Sequence, residues 1–227
     1  IKSTQTMIVP SMSVQEIHKE VFEDIKNLET KLDECRNDFK KTVLKSSRYP
    51  LTKSYDCKTR EKRNLFIVDF TAMKRSDWKK PILSIYGIYS RPEGKYAVVP
   101  TVEMNIISIH PPHFFKRYRE RIVKDASISN EDIIRQYFKK DWGFMGVVVN
   151  EEFESVYHCF ESNQENDKIS FVAATSQGYC FGEKQGNINI IKTIISEDML
   201  FENQKKVFNA LKEEFNAFNK ERYGTNI

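Results

Sequence analysis

Glycine takes only 8 of the 227 positions and proline 7. Chains of collagen type or of low complexity are built on those residues, so both classes are excluded. Long apolar runs are missing too. A membrane-spanning helix needs about 20 consecutive apolar residues, and the most apolar stretch, "GFMGVVV" at 143–149, is the size of a buried strand. No membrane partner is expected. The N-terminal "IKSTQTMIVP" holds no apolar segment of signal-peptide length, and the expected location is cytoplasmic.

Cysteine and histidine are equally sparse, four of each. Cys35, Cys57, Cys159 and Cys180 form no C-x-x-C pair. A disulfide scaffold does not suit a domain of this size, so structural roles are expected of all four. Cys35 falls on the apolar side of a helix, where a thiol acts as a small hydrophobe. There is no P-loop, no G-x-G-x-x-G after a strand, no H-E-x-x-H, no G-x-S-x-G and no EF-hand loop. Neither a metal nor a cofactor is expected, and whether the chain is an enzyme stays open at this level.

What the chain does have is a core-forming composition. Hydrophobic residues make up 40% and aromatics 12%, with 16 Phe and 10 Tyr. The net charge of +4 is unevenly spread. Residues 40–80 carry 13 Lys or Arg against 4 Asp or Glu, a net of +9, whereas residues 147–170 carry one Lys against six acids. A basic surface of that kind orients anionic partners.

The clearest element spans 13–46. Ser13 followed by Glu16 is a capping box. Val14, Ile17, Val21, Ile25, Leu28, Leu32, Cys35, Phe39 and Val43 then recur about every 3.6 residues, which predicts one long helix with one buried stripe. It ends before Pro50. The spacing drifts from a heptad, which favours packing on the protein's own sheet. The rival use of so long a helix is contact with a protein partner or self-association. "NLFIVDFTAM" and "PILSIYGIY" predict strands, and "RPEGK" at 91–95 a tight turn into "YAVVPTVEMNIISI". A helix starts near Pro112, and Ser129 caps another, "NEDIIRQYFKK". A meander follows: "FMGVVVN", "FESVYHCFE", "KISFVAAT", "GYCFGE" and "NINIIKTII". Gly178, Gly182 and Gly186 serve its turns and bulges. Ser196 opens a terminal helix burying Leu200, Val207, Leu211, Phe215 and Phe218.

The fold class predicted is therefore α+β: a long N-terminal helix packed on a mainly antiparallel sheet, two central helices and a C-terminal helix. Residues 1–125 form a helix-plus-sheet segment ending in a basic helix. Residues 126–227 hold a helix, the meander and the last helix, with a single domain as the alternative division.

One stretch concentrates chemistry. In "IHPPHFFKRYRERIVKD" (109–125), His110 and His113 flank Pro111 and Pro112 at a strand-to-helix junction. His113, Arg117 and Arg121 stand at i, i+4 and i+8, one face of a straight α-helix. Imidazoles exchange protons near neutral pH, and guanidinium forks hold phosphate oxygens. Arginines beside the histidines disfavour zinc. The arrangement resembles the small metal-independent ribonucleases of the barnase, EndoU-like and RelE-like toxin assemblage, in which helices precede a compact antiparallel sheet. The resemblance covers at most residues 105–200 and carries no specific motif. It matches His113, Arg117 and Arg121 on the helix and implies Tyr179 or Thr193 as the hydroxyl. If RNA is cut, His113 is the expected base, His110 the acid, and Arg117 and Arg121 hold the phosphate. The expected partner is RNA or another phosphate-bearing ligand. The plain reading of the same helix is a solvated surface whose arginines pair with Glu120.

Overall fold

The computed structural model describes residues 8–151, 153, 154, 156 and 168–223. They form two compact units, Ile1–Ile107 and Ser108–Ile227. The chain is α+β, as its periodicities predict.

In the first unit, residues 14–45 are helical throughout. Helix α1 (Val14–Asp24) passes through a 3-10 turn at Ile25–Leu28 into α2 (Glu29–Lys45). The capping box is in place: the Ser13 hydroxyl accepts from the Glu16 N–H at 3.2 Å, and the Glu16 carboxylate accepts from the Ser13 N–H at 2.7 Å. Of the stripe, Ile17, Val21, Leu28, Phe39 and Val43 are wholly buried, while Leu32 and Cys35 are partly exposed.

That stripe is covered by its own unit. Strands β1 (Leu51–Lys58), β2 (Leu65–Ala72), β3 (Ile82–Arg91) and β4 (Gly94–Thr101) form an antiparallel meander in that order. Phe39 of α2 stacks on Phe70 of β2 at 5.5 Å, and Tyr55 of β1 meets the same ring edge-on at 5.9 Å. Strand β1 is the one that sequence periodicity misses. Lys53, Asp56 and Lys58 hide its short alternation, and charge of this kind is what keeps an outer strand from pairing with other chains.

A polar latch fastens α1 to the loop between β1 and β2. The Asp24 carboxylate, fully buried, accepts from the Thr59 hydroxyl at 2.7 Å and from the Asn64 amide at 2.8 Å. Buried Glu20 accepts from Asn64 at 3.1 Å and from Lys62 at 2.6 Å. Every partner removes a desolvated charge or amide from isolation, which is the condition for burying such groups at all.

Strand β5 (Ile106–His110) carries the chain into the second unit. There follow α3 (Pro112–Tyr118), a π-helical turn (Arg119–Val123) and α4 (Asn130–Lys139), which Ser129 caps through the Asp132 N–H. Strands β6 (Phe144–Val148), β7 (Ile169–Thr175), β8 (Gly178–Gln185) and β9 (Ile188–Ile195) form an antiparallel meander, and the strand order is β5-β9-β8-β7-β6. Helix α5 (Glu202–Tyr223) buries Phe208, Leu211 and Phe215 with Val172, Ala174, Tyr179, Phe181 and Ile195. Ser196 opens only a 3-10 turn, Glu197–Met199, and the helix starts at Glu202, so Leu200 is buried just ahead of it; Val207 is partly buried and Phe218 exposed, against expectation.

The glycines work as the spacing suggests. Gly178 and Gly186 take φ of 141° and 56° at the two turns, and Gly182 sits at a bulge where a Cβ would come within 2.4 Å of the Ile190 carbonyl. The strand expected over "FESVYHCFE" does not form at its start, because Phe153, Glu154 and Val156 are helical. Its remainder, with His158 and Cys159, lies outside the described residues. Among the described residues, no helix is long and apolar enough to cross a membrane.

Candidate functional site

The strand-to-helix junction forms as expected, with Pro111 extended ahead of the helix and Pro112 in its first turn. What it does with its side chains differs from a phosphate site. His110 ends a buried strand and is only 3% exposed. Its ring is enclosed by Phe114 at 4.9 Å, Phe138 at 5.2 Å, Tyr137 at 5.6 Å and Phe115 at 6.1 Å. Burial drives its pKa down to about 3, so the imidazole is neutral at physiological pH. A hydrogen bond with the Ser108 backbone offsets part of that lowering.

His113, three residues on, is exposed and makes a hydrogen bond with the Lys192 backbone of β9. Loss of solvent on one side lowers its pKa, helped by the charges of Lys192 and Arg117. The two imidazoles therefore do not share an open surface. Arg117 is exposed and forms an ion pair with Glu120 at 3.1 Å, the solvated arrangement that the plain reading describes.

Arg121 leaves the ridge altogether. The helix widens into a π turn from Arg119, and the i, i+4, i+8 alignment of a straight α-helix no longer applies. Its guanidinium reaches β9, donating to the Thr193 hydroxyl at 3.1 Å and the Ile194 carbonyl at 2.9 Å. So the fold brings Arg121 and Thr193 together, as a clasp between helix and strand. Tyr179 is 1% exposed, lies 4.9 Å from the Phe208 ring of α5, and sits 3.5 Å from the Asn209 side-chain oxygen. Among the described residues, no group of three or more His, Cys, Asp or Glu side chains could hold a metal ion.

A second constellation sits in the first unit, inside the +9 segment. A 3-10 turn, Arg75–Lys79, packs beside the C-terminal half of α2. The Lys40 ammonium of α2 lies 4.2 Å from the centre of the Trp78 ring, and Lys79 stands 5.9 Å away. Trp78 is half-buried, held on one side by the helix. Arg75 donates to the Leu44 carbonyl at 3.1 Å, which ties the turn to the helix end.

On α2 and in or beside the turn, Lys41, Lys45, Lys74, Lys79 and Lys80 are exposed. The one acid of the turn, Asp77, is turned inward and accepts from the backbone N–H groups of Met73 and Lys74 at 3.0 Å each. The sequence signal was present as "MKRSDWKK", a tryptophan within a basic run. Only the fold shows that Lys40, 38 positions earlier, shares the ring with it.

No protein-family model, no curated protein and no solved structure matches this chain.

Proposed function

We propose that the protein binds single-stranded RNA through the surface around Trp78, without cutting it. The observation that supports this reading is the half-buried Trp78 ring with Lys40 of α2 and Lys79 beside it, on elements that carry further exposed lysines. Binders of single strands combine a basic track for the phosphates with an aromatic ring on which a base stacks. The reading carries a cytoplasmic location with it. Cleavage by His110 and His113 finds no support in their placement, since one is buried among rings and neutral and the other faces solvent.

Fluorescence anisotropy with labelled single-stranded RNA tests the proposal. Affinity should fall steeply as salt rises, and replacing Lys40 and Lys79 by Gln should flatten the log–log salt slope by about 1.4, some 0.7 for each charge removed. Trp78→Ala should weaken binding by about 1–3 kcal/mol. No binding at low salt by folded protein would overturn it.

A second reading, self-association, is favoured by a different observation. The stripe of α1 and α2 is mostly buried within its unit, whereas β6 is an outer strand among the described residues, with Phe144 and Val148 exposed. The Val149 N–H bonds to Ser170 across the β6–β7 pair, so in the alternating antiparallel pattern Phe144, Gly146 and Val148 aim their backbone groups outward.

A second copy is the occupant that fits. Antiparallel pairing about Gly146 sets Phe144 opposite the other copy's Val148. Sedimentation velocity should then show a dimer that Val148→Lys abolishes, and a monomer at every concentration would exclude it.

A further inference from the structure

Cys35 and Cys57 are 22 residues apart in sequence, yet their sulfurs lie 3.9 Å apart. Two local periodicities meet to produce this. Cys35 and Phe39 are one turn apart on the side of α2 that faces the sheet. Tyr55 and Cys57 alternate onto the same side of β1, where Tyr55 donates to Asp38 of α2 at 2.7 Å. The two sulfurs differ in access: Cys57 is 2% exposed, whereas Cys35 is partly open to solvent. The remaining described cysteine, Cys180, is buried in the other unit.

We infer that Cys35 and Cys57 are a redox pair, in which an oxidant of the low-molecular-weight disulfide class closes a bond between α2 and β1. The accessible Cys35 thiolate attacks one sulfur of the reagent, forming a mixed disulfide and releasing one thiolate. Cys57 then loses its proton to solvent and attacks the Cys35 sulfur, releasing the second. Two thiols of the protein give up two electrons and two protons, and the reagent is reduced to two thiols. The sulfurs must close from 3.9 Å to about 2.05 Å, a shift within reach of rotation about two side chains.

The closed loop would hold Lys40, Lys41, Lys45, Arg48 and Lys53, tying the basic end of α2 to the sheet. The inference does not depend on RNA binding. Burial pushes both thiols up, Cys35 to about 12, so thiolate is scarce at neutral pH. The reaction should therefore be slow there and accelerate about tenfold per pH unit while the thiols remain mostly protonated.

The test uses the whole folded chain incubated with oxidised glutathione at mildly alkaline pH, quenched with an alkylating reagent and digested with trypsin without reductant. Mass spectrometry should find the peptide Leu32–Arg36 joined to Ser54–Lys58, lighter than the two together by two hydrogens. The oxidised protein should unfold at a higher temperature, and reductant should reverse this. Cys35→Ser should give no linked peptide. Should that variant misfold, the wild-type time course decides by itself. Three results would overturn the inference: both cysteines alkylated in folded protein, a glutathione adduct that stays on Cys35 while Cys57 is alkylated, or a link from either to Cys180.

Discussion

Each unit buries a polar constellation, and the two are built on opposite terms. In the first, Asp24 and Glu20 lie inside the protein with donors from Thr59, Asn64 and Lys62 on their oxygens. In the second, His110 lies inside among aromatic rings, with a polar contact to the Ser108 backbone. Partnered burial turns polar groups into a fastening. Burial among rings, with one backbone contact at Ser108, holds an imidazole in its neutral form, unsuited to exchanging protons with a ligand. A histidine or an acid is thus read by its surroundings, since burial alone does not separate a latch from a spectator.

The sharpest way to break the comparison is to cut the latch. Asp24→Ala strips the acceptor from Thr59 and Asn64 while keeping them buried, and should cost about 3 kcal/mol in a denaturant titration. A loss below about 1 kcal/mol would mean that the network is ornamental.

The next effect is one of pH. His110 has a folded pKa near 3, below its unfolded value, so the unfolded chain binds the extra proton. Its contribution to stability is full above about pH 6.5 and falls by about 1.4 kcal/mol per pH unit between there and 3. Asp141, raised by burial to about 6, works in the opposite sense over part of that range. The measurement is therefore the difference in stability between wild type and His110→Phe. That difference should slope with pH below 6.5 and be flat above it. A difference independent of pH would place the imidazole in water.

Smaller effects separate the two arginines that share the helix. Arg121→Ala loses two hydrogen bonds to β9 and should cost about 1 kcal/mol. Arg117→Ala removes an exposed ion pair and should stay within about 0.5 kcal/mol. Equal losses, read from thermal unfolding, would erase the distinction between clasp and surface charge.

The long helix was legible because Ile17, Val21, Leu28, Phe39 and Val43 repeat at the helical period, and the Ser13–Glu16 box marks its start. The turns at Gly178 and Gly186 were legible from residue chemistry. Strand β1 was not, because an outer strand is half-solvated and Lys53 and Asp56 dilute its pattern. At the junction, Pro112 located the helix start correctly. The side-chain alignment beyond it assumed 3.6 residues per turn, and the π turn at Arg119–Val123 departs from that period. Nothing in the residues 119–123 signals the change. It accompanies the hold that Arg121 takes on Thr193 and Ile194, partners more than 70 positions away.

The sequence by itself determined the α+β class, the long capped helix and the concentration of positive charge at 40–80, because each rests on local periodicity or on counting. Only the tertiary structure decided that His110 is enclosed, that Arg121 faces a strand, that Lys40 meets Trp78 and that Cys35 meets Cys57. Those are encounters between residues distant along the chain. A sheet and its covering helices set such distances through strand register and packing, which no single stretch of sequence contains.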